Sequence, residues 1–121
     1  MVSLISIVMP TLNSARYVDA AIASVLRQTF SKWELLIVDG GSSDDTIARV
    51  LSYDDERIKI FNVTKMGVPA ALNYGFDQAS GDLLCWLNSD DVFFYDSVLS
   101  NVASYGDLHD FIYGDCSTIM S

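Results

Sequence analysis

The run Leu83-Leu84-Cys85-Trp86-Leu87-Asn88-Ser89-Asp90-Asp91 decides how this chain folds. Its apolar part shows no alternation, which suits a short strand covered on both faces, as in a parallel sheet. Gly81-Asp82 punctuates its start, and Asn88-Ser89-Asp90-Asp91 ends it. In open α/β sheets, ligands bind outside the carboxyl ends of the strands. Two adjacent carboxylates at that place suggest a hard divalent cation, and a phosphate bound through it. Taken alone, Ser89-Asp90-Asp91 is more often a solvated acidic turn. The rest of the chain shifts the balance.

Upstream, strands and helices alternate. Leu4 to Met9 is a β-branched run closed by Pro10, and Thr11 to Ser14 form the loop after it, with Asn13 or Ser14 available as a helix N-cap. Val18, Ala21, Ile22, Val25 and Leu26 recur at helical spacing between Ala15 and Gln28. Trp33 to Val38 forms a second strand ending at Asp39, and the Gly40-Gly41-Ser42-Ser43 loop leads into a helix whose first turn carries Asp44 and Asp45. A third strand spans Arg57 to Val63, and Pro69 suits the first turn of a helix reaching about Ala79. Downstream, Tyr95 to Ser104 has helical spacing, and Phe111-Ile112-Tyr113 is a last short strand. Strands alternating with helices predict a doubly wound, mainly parallel α/β sheet with helices on both faces and right-handed crossovers.

The 121 residues make one domain, 1–121, half of it hydrophobic and with only two prolines, so disorder is not expected. Sixteen acidic against seven basic residues give a net charge of −9. That balance argues against a nucleic-acid or anionic-membrane surface and leaves a phosphate ligand in need of a metal or a local cation. No apolar run approaches the roughly 18 residues of a membrane span. The first residues enter a strand directly, without a basic region or cleavage site, so no signal peptide is expected. Cys85 and Cys116 lack metal-ligand spacing. Cys85 is expected to be a small buried apolar residue, and a cytoplasmic, reducing location follows. His109, the lone histidine, is expected at the surface.

In this arrangement Thr11 and Asn13 follow strand one, Asp39 follows strand two, and Asn88 to Asp91 follow strand four, all on one sheet edge. An acidic residue after strand two is placed to accept hydrogen bonds from a ribose or base; its bland alternative is a turn former before Gly40-Gly41. Pro10-Thr11-Leu12-Asn13 stands where a dinucleotide fingerprint would be, and no Walker A sequence occurs. A receiver domain would place its acidic pair after strand one and its nucleophilic Asp after strand three. Here the carboxylates follow strands two and four.

Four blocks, in order, resemble the family 2 glycosyltransferases of GT-A fold: Ile5 to Asn13, Leu36 to Thr46, Gly67 to Asn73, and Trp86 to Asp91, the last matching the family's DxD-type metal element. The resemblance implies a Rossmann-like nucleotide-sugar-binding portion of such an enzyme, shorter than the family's domain. It implies that Pro10, Thr11, Asn13 and Asp39 meet the nucleoside of the donor. Asp91 would bind Mg²⁺ or Mn²⁺ directly, with Asp90 beside it at the metal, and Asp90 with Asn88 would contact ribose or sugar. Many members carry Asp where Asn88 stands and Arg where Leu72 stands; Lys65 is the substitute cation, or else a solvated loop lysine.

The function implied is metal-dependent, inverting transfer from a nucleotide-sugar to a hydroxyl of a glycan or lipid-linked acceptor. The donor expected first is a UDP-sugar, with GDP- or dTDP-sugars as alternatives. The location implied is cytoplasmic, at most peripheral to the inner face of the membrane, in cell-surface polysaccharide synthesis. No general base is identified; Asp115 follows the last strand without a role. A non-catalytic nucleotide-sugar-binding module is the rival reading. Apolar surface around Phe111 to Met120 is expected to favour a homo-oligomer.

Overall fold

The computed structural model describes residues 3–93, 96–100 and 103. The strands are β1 (Ile5–Thr11), β2 (Trp33–Asp39), β3 (Ile58–Asn62) and β4 (Leu83–Trp86); the helices are α1 (Val18–Leu26), α2 (Thr46–Leu51) and α3 (Val68–Gln78). The four strands form one parallel sheet in the order β3-β2-β1-β4. The order reverses between β1 and β4. Both strands lead away from each other there, so their C-terminal loops open a crevice.

β1 and β2 are buried along their whole length, because apolar side chains on both of their faces meet helices. Ile5, Ile7, Met9, Leu35 and Ile37 pack with Val18, Ala21, Ile22 and Val25 of α1 and with Val50 of α2. On the opposite face Val8, Leu36 and Val38 pack against Ala71 of α3. Helix α3 lies close to the sheet at Gly75, where a Cβ would stand 2.4 Å from Val8 Cγ1. The doubly wound arrangement expected from the alternation of elements is present.

Several details differ from the sequence-based expectation. β1 runs through Pro10 to Thr11 rather than stopping at Pro10. Val8 O accepts from Leu87 N on the β4 side, whereas Thr11 O accepts from Gly40 N on the β2 side. Pro10, in phase with Val8, therefore places its missing N–H on the β4 side, beyond the last β1–β4 pair Val8–Trp86, and no ladder bond is lost. β4 alternates between buried and half-buried residues instead of being covered on both faces. Leu83 and Cys85 join the α1-side core, while Trp86 is only half covered on the α3 side. Helix α1 begins at Val18, and neither Asn13 nor Ser14 caps it with a side chain. Cys85 is 1% exposed, as expected, but it is not a free thiol, so it lends no support to a reducing compartment.

Val98 and Leu99 are helical and buried, as the spacing predicts. The expected strand at Phe111 to Tyr113, His109, Asp115, Cys116 and the apolar surface around Phe111 to Met120 lie outside the described residues. Among the described residues, no helix is long and apolar enough to cross a membrane.

Candidate functional site

The crevice between the β1 and β4 loops is a cleft of about 560 Å³. Pro10, Thr11, Leu12, Asn13 and Ser14 form its β1 wall, Asn88, Ser89 and Asp90 its β4 wall, and Gly67, Val68 and Ala71 of the α3 start its third side. Leu12, Tyr17, Met66 and Val68, four side chains that are more than a third exposed, also line it. The cleft therefore combines polar groups with exposed apolar side chains, the mixture that suits a ligand with a flat ring and a charged tail.

Of the residues singled out in the sequence, Pro10, Thr11, Asn13, Asn88 and Asp90 come together here. Thr11 is 5% exposed and donates its hydroxyl to Met9 O at 3.1 Å. Asn13 adopts φ +49°, a left-handed conformation that Asn tolerates better than most residues. Its N–H donates to Ser42 Oγ at 2.8 Å and its side-chain oxygen accepts from Ser43 N at 2.8 Å. Asn13 is thus a stitch between the β1 and β2 loops as well as part of the wall.

Asp39 is placed differently. It is fully buried, absent from the lining of the cleft, and its carboxylate accepts from Gly41 N at 3.0 Å, Ser42 N at 2.8 Å and Ser42 Oγ at 2.6 Å. Those bonds close the Gly40-Gly41-Ser42 loop. The arrangement matches the turn-forming alternative named for it rather than an open hydrogen-bond acceptor. Lys65 also stands outside the lining, in a left-handed turn with φ +67° whose N–H donates to Gly40 O at 3.0 Å. Its neighbours Met66 and Gly67, in the same loop after β3, do line the cleft. No Lys or Arg is among the described residues that line the cleft.

Asp91 is partly buried beside the cleft, and its N–H donates to Asn88 O at 2.9 Å, closing a turn that presents Asp90 to the cleft. Among the described residues, no group of three His, Cys, Asp or Glu side chains gathers as a metal cage. Mg²⁺ is ordinarily held by one or two carboxylates together with substrate phosphates. The adjacent carboxylates Asp90 and Asp91 are of the number and type that would fit such an ion.

The sequence did not single out Ser14, Tyr17 or the first turn of α3 as parts of the wall. Ser14 and Ser89 are 7% and 8% exposed, and their hydroxyl oxygens lie 2.6 Å apart. Nothing in one-dimensional spacing pairs two serines 75 positions apart.

The family model for glycosyl transferase family 2 matches residues 6–118. Over 90 residues, 74% of this chain, the sequence is 43% identical to the Escherichia coli UDP-Glc:alpha-D-GlcNAc-diphosphoundecaprenol beta-1,3-glucosyltransferase WfgD, of which 36% is covered. It is 40% identical over 116 residues, 91% of this chain, to 45% of a PGL/p-HBAD biosynthesis glycosyltransferase of Mycobacterium bovis. The fold matches Staphylococcus aureus TarS in complex with UDP-GlcNAc, with a TM-score of 0.78 and 28% identity over 87% of this chain and 31% of that one. The chain thus spans less than half the length of each of these relatives. Its parallel sheet with helices on both faces is the arrangement of these GT-A enzymes. With the family model spanning nearly all of the sequence and the parallel core superposing on a glycosyltransferase, this chain belongs to glycosyl transferase family 2.

Proposed function

We propose that this chain provides the donor site of a glycosyltransferase that uses a UDP-sugar. The observation that carries the reading is the convergence of Thr11, Asn13, Asn88 and Asp90 at the switch-point cleft. The nucleoside occupies the β1 side, against Pro10, Thr11 and the apolar rim of Leu12 and Tyr17. The diphosphate lies toward the β4 turn, where Asp90 and Asp91 would hold Mg²⁺ or Mn²⁺. Such an ion would supply Lewis-acid stabilisation of the charge on a departing nucleoside diphosphate. Asn88 orients the ribose or sugar. Asp39 and Lys65 act from behind the wall, Asp39 by fixing the loop that Asn13 binds. The preference for uridine follows the UDP-Glc named for WfgD and the UDP-GlcNAc bound to TarS.

The reaction proposed is inverting displacement. An acceptor hydroxyl oxygen forms a bond to the anomeric carbon while the bond from that carbon to the diphosphate oxygen breaks on the opposite face. The hydroxyl proton passes to a general base. Asp90 is the only carboxylate among the described residues lining the cleft, and it is committed to the donor. The acceptor proposed is a glycan or lipid-linked hydroxyl presented at the cytoplasmic face of a membrane. The absence of a base among the described lining residues favours one second reading, a donor-binding module that does not turn over.

Calorimetric titration with UDP, GDP and dTDP, each with and without Mn²⁺, tests the assignment. UDP should bind about tenfold or more tightly with Mn²⁺, and Asp91→Ala should remove that gain while leaving the fold intact. Metal-independent binding, or equal affinity in Asp91→Ala, would sink the metal assignment. Slow release of free sugar from a UDP-sugar would separate an enzyme from a binding module.

A further inference from the structure

The β1–β4 ladder ends before the cleft: the last backbone bond between the two strands is Leu87 N to Val8 O at 3.0 Å. Beyond it the loops diverge, and a side-chain bond spans the gap. Ser89 Oγ lies 2.6 Å from Ser14 Oγ, which also donates to Leu12 O at 3.2 Å. Either serine can donate in this bond. Behind Ser14, its N–H donates to Thr46 Oγ1 at 2.8 Å, and the Thr46 hydroxyl donates in a short bond to Asp44. Asp44 also accepts from Ala15 N at 3.1 Å and Thr46 N at 3.0 Å. Thr46 is fully buried, whereas Asp44 at the end of the chain of bonds is exposed, so the shielding from competing water applies to the Thr46 hydroxyl.

Ser89 sits between Asn88 and Asp90, inside the turn that the Asp91 N–H to Asn88 O bond closes. We propose that Ser89 is a positioning residue: tied to Ser14, and through it to Thr46 and Asp44, its hydroxyl fixes the turn that offers Asp90 and Asp91 to the metal-bound diphosphate of the donor. The loop after β2 thereby helps to set the geometry of a motif on β4, two strands away. This role rests on the donor-site reading above. An isolated turn of Asn-Ser-Asp-Asp would sample many orientations, and holding two carboxylates in one of them reduces what the ion must spend on ordering.

Ser89→Ala, Ser14→Ala, the double variant and Ser89→Thr decide it, each compared with the unaltered chain. Two measurements are needed: amide hydrogen exchange at Asp91 without ligand, and UDP affinity with and without Mn²⁺. Each alanine variant should exchange Asp91 N–H about tenfold faster, the loss expected for one buried hydrogen bond. The Mn²⁺-dependent gain in UDP affinity should fall by a similar factor. The double variant should be no worse than either single, and Ser89→Thr should restore most of both. Unchanged Asp91 exchange and unchanged affinity in Ser89→Ala would overturn the positioning role while leaving the donor site standing. A uniform rise in exchange along β1 and β4 would also overturn it, as general loosening. If the unaltered chain binds UDP but gains no affinity from Mn²⁺, the metal assignment fails and the positioning role is overturned with it; if it binds no UDP at all, the donor-site reading fails first.

Discussion

Replacing Gly75 with alanine tests the packing that places the third side of the cleft. The added Cβ would lie 2.4 Å from Val8 Cγ1, 3.0 Å from Val8 Cγ2 and 3.1 Å from Val38 Cγ2, against a carbon–carbon optimum of about 3.5–4.0 Å. Both valines are fully buried on central strands, and a β-branched side chain has little rotamer freedom with which to retreat. Helix α3 must therefore lift by roughly 1 Å to restore that optimum. Overpacking of this kind costs about 1–3 kcal/mol, and alanine returns about 1 kcal/mol through helix propensity. Because two rigid neighbours are involved, the upper half of the cost applies, and the net loss should be about 1–2 kcal/mol. Urea unfolding followed by circular dichroism would read it as a lower midpoint at unchanged slope. Since Gly67, Val68 and Ala71 at the start of α3 line the cleft, UDP affinity should weaken as well. Val8→Ala combined with Gly75→Ala should be less damaging than the sum of the two, because each relieves the other. A Gly75→Ala chain as stable as the original or more so would refute the reasoning: helix propensity would have won, and α3 would not be seated as described.

Two further predictions concern groups that hold the sheet and the wall. Burial pushes the Glu34 carboxyl up, but hydrogen bonds from Ser6 and Ser80 and the charge of Lys59 outweigh it and hold the group below its usual 4.5. A lowered carboxylate contributes stability that is complete above its unfolded value and is lost as pH falls through the folded one. Stability should therefore decline below about pH 4.5, and Glu34→Gln should lower it at pH 7 and flatten that acid limb; an unchanged limb in acid denaturation would count against it. Asn13→Ala should cost about 1–2 kcal/mol, from the left-handed backbone and the lost bond to Ser43. Asn13→Gly should recover the backbone share, and equal midpoints for the two variants would show that φ +49° carries no strain.

The one-dimensional pattern determined which segments are strands and helices, because burying one stripe of a helix or both faces of a strand leaves a period in the residue order. Ile5, Ile7 and Met9 against Val8 already divide β1 between two faces, and Pro69 and Gly67 mark the start of α3. Thr11, Asn88 and Asp90 were legible as a candidate site because each stands at or shortly beyond the end of a strand, and strand ends in a parallel sheet share an edge. What the tertiary structure decided is which ends are neighbours. The order β3-β2-β1-β4 opens the cleft between β1 and β4 and brings Ser14 to Ser89. Asp39 shows the same limit at the scale of one side chain: its position after β2 suits both a ligand contact and a turn. Only the approach of Gly41 N, Ser42 N and Ser42 Oγ, all at 3.0 Å or less, assigns its carboxylate to the loop. Periodicity reports which face a residue buries; hydrogen-bond partners are chosen by distances of a few tenths of an ångström between loops far apart in sequence, and no spacing encodes those.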